Sequence, residues 1–123
     1  MQINLKTSGA IVLTDELRAF VEKKSAKLTQ LIGSKDATAL ADIELGTSVG
    51  GQKVGNVYRA EINLQYADGF VRAEATRDTM HNAIDVAVGE ARAELRKKVG
   101  RKRDLMRRGA AKVKGLLHRF GGS

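Results

Sequence analysis

Residues 76–108 limit the possible fold more than any other stretch, because they call for one helix with two characters. Met80, Ile84, Ala87, Val88, Ala91, Leu95 and Val99 recur at steps of three and four. That period lines them along one helical face, and an apolar face of that length has to be covered by a core. Asp78 or Thr76 is placed to cap the start by accepting hydrogen bonds from backbone amides that have no partner inside the helix. From Arg96 onward the chain turns basic with no proline to stop the helix. Arg96, Lys97, Lys98, Arg101, Lys102, Arg103, Arg107 and Arg108 are opposed only by Asp104. Like charges one turn apart, such as Arg92/Arg96, Lys98/Lys102 and Arg103/Arg107, each cost a helix about 0.2–0.5 kcal/mol. Folding gains nothing from that cluster, whereas a polyanionic partner would account for it.

The cover for the apolar face comes from strands. Met1–Thr7 alternates, with Met1, Ile3 and Leu5 on one side, which is the pattern of a half-buried strand. Thr14 followed by Asp15 and Glu16 starts a first helix, a capping hydroxyl ahead of acids that favour the helix dipole. Leu17, Phe20, Val21, Leu28, Leu31 and Ile32 form its apolar stripe, with Lys24 lying within it. Lys23 and Lys27 stand on the outer side, and Gly33 is available to end the helix in a left-handed conformation. Three alternating segments follow, Ala39–Thr47, Val57–Tyr66 and Phe70–Thr76, the last two joined by the tight-turn signal Asp68-Gly69. The expected fold class is therefore α+β. It is a β-α-β-β-β-α two-layer sandwich, a four-stranded mixed sheet with one wet face and both helices on the other.

Charge divides the chain. Residues 1–95 hold 11 Lys and Arg against 13 Asp and Glu, while residues 96–123 hold 11 against one. A nearly neutral domain over 1–108 with a basic second helix, followed by a basic flexible tail over 109–123, is the expected organisation. Blocks of one charge usually meet a nucleic acid or an anionic surface, or remain solvated. A membrane role would use Val113, Leu116, Leu117 and Phe120 as an apolar edge, but Gly109, Gly115, Gly121 and Gly122 weaken such a helix. Ten net charges in 28 residues make a purely solvated end uncomfortable. With three Phe, two Tyr and no Trp, base stacking on aromatic platforms is not the expected mode, and RNA shape and phosphate contacts are.

Catalytic chemistry finds no foothold. The chain has no Cys, which excludes disulfides and Cys-based zinc sites. His81 and His118 lack metal-spaced partners, and no carboxylate pair stands out. The glycine-rich Gly46–Asn56 reads as a flexible hairpin, since no Gly-Lys-Ser/Thr ending or helix follows it. No enzyme, cofactor or metal is expected. No early apolar run has the form of a signal peptide, and no segment approaches a membrane span, so the default address is the cytoplasm.

Several local motifs in this order resemble the ribosome hibernation promoting factor / ribosome-associated inhibitor A family. They are Leu13-Thr-Asp-Glu-Leu-Arg-Ala-Phe-Val-Glu-Lys-Lys24 with Lys27-Leu28, Tyr58-Arg-Ala-Glu-Ile62, Val71-Arg-Ala-Glu-Ala75, Asp78-Thr-Met-His-Asn-Ala-Ile-Asp85 and Leu95-Arg-Lys-Lys98. The resemblance implies a topology akin to double-stranded RNA-binding folds. It also implies binding to the small ribosomal subunit, to its rRNA and neighbouring ribosomal proteins, in the channel between head and body. There the protein would exclude mRNA and tRNA and silence translation under stress. By position, Lys23, Lys24 and Lys27 on the first helix match the RNA-facing positions, as do Arg92, Arg96, Lys97, Lys98, Arg101 and Lys102 on the second. Arg103, Arg107 and Arg108 extend the basic run. The chain ends before the second domain of long family members, and its end is basic where the inhibitor-A type is acidic. A short hibernation factor is thus expected, a monomer off the ribosome, with no small-molecule substrate and no membrane. The alternative is a general duplex-RNA-binding module acting off the ribosome.

Overall fold

The computed structural model describes residues 1–33, 38–48 and 57–120, with side chains of the last stretch described through Arg101 and at Arg107. Its elements run β1 (Gln2–Thr7), α1 (Asp15–Ile32), β2 (Leu40–Thr47), β3 (Tyr58–Tyr66), β4 (Gly69–Arg77) and α2 (Met80–Phe120). The strands lie in the order β1-β2-β3-β4. β1 and β2, on either side of α1, pair in parallel, and the other neighbours are antiparallel. This is the α+β arrangement that the alternating and helical periods predict.

Register turns the alternation into a layer. Leu5, Ile43, Ile62 and Ala73 stand side by side across the four strands, flanked by the row Leu45, Ala60 and Ala75 and the row Ala41, Leu64 and Val71. Both helices press on this face. Leu17, Val21 and Leu28 of α1 and Ala83, Ile84, Ala87, Val88, Ala91 and Leu95 of α2 join the same buried cluster. Ala73 and Ala75 of β4 and Ala83, Ala87 and Ala91 of α2 are all buried in that cluster.

Three local expectations differ from the structure. The α2 cap is Thr79, whose Oγ1 accepts from the Asn82 amide at 3.1 Å. Thr76 belongs to β4, and Asp78 accepts from the Asn82 side chain instead. The β3–β4 turn is Ala67-Asp68, with Tyr66 paired to Gly69. A Cβ on Gly69 would come within 2.9 Å of the Tyr66 hydroxyl, so this glycine makes room for a ring rather than supplying a positive φ. Gly33 does take a positive φ of 90°, but with ψ at 151° it leaves α1 extended rather than left-handed.

Thr14 caps α1 as expected, its Oγ1 accepting from the Leu17 amide at 3.1 Å. α2 continues through Gly109 and Gly115 to Phe120, so no break in secondary structure marks the boundary expected at residue 109. Of the Gly46–Asn56 hairpin, Gly46 and Thr47 close β2, and residues 49–56 lie outside the described residues.

Ser25 is the one fully buried polar residue of the described core, and its Oγ has no hydrogen-bond partner. Replacing it with Ala removes an unmet hydroxyl and raises helix propensity. Ser25→Ala should therefore stabilise the fold by about 1 kcal/mol, while Leu28→Ala, one turn on, should destabilise it by about 2–5 kcal/mol. Urea unfolding measures both, and a loss of stability in Ser25→Ala would mean that the hydroxyl is bonded in solution.

Candidate nucleic-acid interface

Burial on α2 dictates where its charges point. Ile84, Val88, Ala91 and Leu95 face the core, so the neighbouring row Asp85, Gly89, Arg92 and Arg96 runs beside them, one position further along. On α1 the row Phe20, Lys24 and Lys27 lies one position before the buried Val21, Ser25 and Leu28. The two rows meet at the α1–α2 seam. The Phe20 and His81 rings contact edge to face, centroids 4.3 Å apart. One turn along both helices, Lys24 Nζ lies 2.9 Å from Asp85 Oδ1 and 5.5 Å from the centre of the Phe20 ring. Beyond that pair the seam opens into a groove of about 280 Å³ lined by Lys27, Asp85, Val88, Gly89, Arg92, Ala93 and Arg96.

The groove is cationic. Lys27, Arg92 and Arg96 surround it, and none makes an ion pair among the described residues. Arg92 Nε is buried and finds no acceptor among the described residues. The single carboxylate, Asp85, is held below its ordinary range, chiefly by the Lys24 hydrogen bond and charge and further by Lys27. It stays ionised and bound to Lys24. Lys24 therefore lies at the seam, partly exposed and paired, rather than within the buried stripe.

The remaining expected site residues separate from one another. Lys23 is exposed on α1 outside the groove, and Lys97 and Arg101 are exposed on other faces of α2. Lys98 folds back, its Nζ donating to the backbone carbonyl of Phe70 at the β3–β4 hairpin. Arg107 is exposed, and the side chains of Lys102, Arg103 and Arg108 lie outside the described residues. Asp85 and Gly89 complete the groove, although the pattern of basic residues does not point to them. The available signal was an isolated glycine in the middle of a helical stripe.

The sheet's outer face is built differently. Lys6, Glu44, Glu61 and Glu74 stand opposite one another across the four strands, and carboxylates so placed repel. Arg59 offsets this by binding Glu61 and, at 2.7 Å, Glu74, while Arg72 lies 3.5 and 3.7 Å from the same two acids. Asn63 donates to Glu61 at 2.9 Å, and Asn4 to Asp42 at 3.2 Å. Its charges are largely matched within the face. Among the described residues no helix is long and apolar enough to cross a membrane, and no group of three His, Cys, Asp or Glu could hold a metal ion.

Comparison with known proteins bears on this surface. Residues 5–103 match the family described as sigma 54 modulation protein / S30EA ribosomal protein. A comparison with curated protein sequences finds no match. Among solved structures, the N-terminal domain of protein Y from Thermus thermophilus is similar at 28% identity and a TM-score of 0.64. The match covers 79% of this chain and 98% of that one. A ribosomal subunit interface protein from Coxiella burnetii is similar at 18% identity and a TM-score of 0.61, covering 80% and 97%. At that identity the second likeness speaks to the fold alone.

The ion network on the sheet makes stability depend on pH. Glu61 is held below the ordinary value of 4.5, most strongly by the Asn63 hydrogen bond, and Glu74 by that of Arg59. Between 4.5 and those lower folded values the unfolded chain binds more protons than the folded one. The contribution is therefore complete above 4.5 and is lost as the pH falls through the folded values. Arg59→Met should make the acid-side decline of melting temperature shallower, and an unchanged decline would show that the network contributes nothing in solution.

Proposed function

We propose that this chain, which belongs to the sigma 54 modulation protein / S30EA ribosomal protein family, is a ribosome hibernation factor. It binds the small ribosomal subunit at the decoding region through rRNA phosphates, excludes mRNA and tRNA from the space it fills, and so inhibits translation under stress. The observation that carries this reading is the contrast between its two polar surfaces. On the sheet face Arg59 and Arg72 are paired with Glu61 and Glu74, whereas Lys27, Arg92 and Arg96 converge on one groove with no ion-pair partner among the described residues. A cationic surface left unmatched by its own protein suits an external polyanion. The family's description as a ribosomal protein favours rRNA as that polyanion.

The mechanism is occupation of space. Phosphate contacts from α1 and α2 hold a rigid domain in place, and the domain blocks the channel by its bulk. Lys23, Lys24, Lys97, Lys98, Arg101, Lys102, Arg103, Arg107 and Arg108 add to the attraction around the groove, and residues 109–123 form a basic extension beyond the domain of 1–108. The protein acts as a monomer in the cytoplasm, without a cofactor or a chemical step. The second reading, a general duplex-RNA-binding module, draws on the same cations and the double-stranded RNA-binding-like order of elements.

Sedimentation with purified small subunits over a salt series tests both. If six to ten phosphates are neutralised, affinity falls by about 10³–10⁵ between roughly 50 and 200 mM salt. The variant with Lys27, Arg96, Lys97 and Arg101 all changed to Ala should bind more weakly, with a shallower salt dependence. Equal affinity for plain duplex RNA and for small subunits would favour the second reading. Undiminished cell-free translation with the protein in molar excess over ribosomes would sink the first.

A further inference from the structure

The seam between α1 and α2 closes twice and then stops closing. Phe20 meets His81, and Lys24 meets Asp85, in the same order along both helices. At the next step α1 offers Lys27, and α2 offers Gly89, which has no side chain to give. Gly89 thus leaves its part of the groove wall without a side chain.

Nothing among the described residues calls for a glycine there. In a helix interior glycine is about 0.5–1 kcal/mol less favourable than alanine. Gly89 has no positive φ, and a Cβ built on it meets no atom within 4 Å. Backbone conformation and crowding are thus both set aside, as they are at Gly100; what distinguishes Gly89 is that it lines the cationic groove, where a missing side chain allows close approach by something outside the chain. Charge says what kind. Three cations face the opening, two of them guanidinium groups whose planar forks suit phosphate oxygens, and Arg92 Nε is without an acceptor among the described residues. Asp85 bounds the near end, where its carboxylate turns an anion away toward Arg92 and Arg96.

We propose that this groove seats one phosphodiester of an RNA strand against the bare backbone of Gly89, with Lys27, Arg92 and Arg96 supplying the positive charge. A free anion could be held by the long side chains at the groove mouth without the glycine. A strand carries a sugar on each side of its phosphate and needs the clearance. The proposal rests on the RNA-binding reading and identifies where the strand comes closest.

The test is a pair of substitutions in the full chain, Gly89→Ala and Gly89→Gln, whose effects on stability and binding should have opposite signs. Both variants should melt at a higher temperature than the parent. Both should bind small subunits more weakly, Gly89→Gln by about tenfold, with a log–log salt slope shallower by about 0.7–0.9, the share of one phosphate. A parent that binds and a Gly89→Gln variant that binds equally well would overturn the proposal while leaving the ribosome reading intact. A lower melting temperature in both variants would make the glycine structural and overturn it as well. If the parent fails to bind subunits, the ribosome reading falls, and the same comparison on plain single-stranded and duplex RNA decides the groove: weaker binding by Gly89→Gln upholds it, and equal binding or none by the parent overturns it.

Discussion

The burial of α2 against β3 and β4 is the contact on which the rest depends. Ile84, Val88, Ala91 and Leu95 are sealed against the sheet, and removing that apolar surface from water is the dominant gain available to a domain of this size. Once those four positions are fixed, the helix cannot rotate about its axis without exposing them. Asp85, Gly89, Arg92 and Arg96 are then committed to the row beside α1. The cationic groove is in this sense a consequence of packing, since the same periodicity that builds the core aims the charges.

Electrostatics then separates the two faces of the domain. On the sheet, carboxylates at Glu61 and Glu74 would repel across adjacent strands, and Arg59 and Arg72 are spent on them. Such exposed pairs contribute little each, yet they leave that surface without a field to attract a polyanion. At the helix seam Lys24 is matched by Asp85, while Lys27, Arg92 and Arg96 make no ion pair among the described residues. The Lys24–Asp85 pair spans α1 and α2, whose shared buried cluster sets Lys27 opposite Arg92 and Arg96.

Much of this was legible in the sequence, and the reasons differ by element. Strict alternation in β3 revealed its buried face because an antiparallel strand wetted on one side has no other stable pattern. The apolar stripe of α2 was equally plain. Ser25 and Ala83 escaped notice, since a small residue carries little hydropathy signal even when it is wholly buried. The α2 cap was misplaced because Thr76, Asp78 and Thr79 are all acceptable caps, and only the end of β4 at Arg77 selects among them. The basic positions could be enumerated but not sorted. Periodicity does not reveal that Lys98 turns back to the Phe70 carbonyl or that Lys24 is held by Asp85, because both depend on a second element brought close by the fold. Gly89 was passed over for a related reason: its meaning lies in the absence of contact.

Helix α2 also carries two kinds of feature that isolated folding would disfavour, glycines (Gly89, Gly100, Gly109 and Gly115) and a run of like charges. Any one could be tolerated as noise, since a helical glycine costs about 1 kcal/mol and a like-charged pair about 0.2–0.5 kcal/mol. Their placement is what argues otherwise. Gly89 stands one turn before Arg92 and two before Arg96, on the same row, and that row faces Lys27 across an open seam. Random loss of helix propensity has no reason to coincide with a stretch of interhelical surface where three cations make no ion pair among the described residues. A surface shaped by an external polyanion does, because the strand needs both charge and clearance at the same point. The helix is thus less stable than its length allows where it is most exposed to a partner. That deficit is the expected mark of a surface completed by binding rather than by folding.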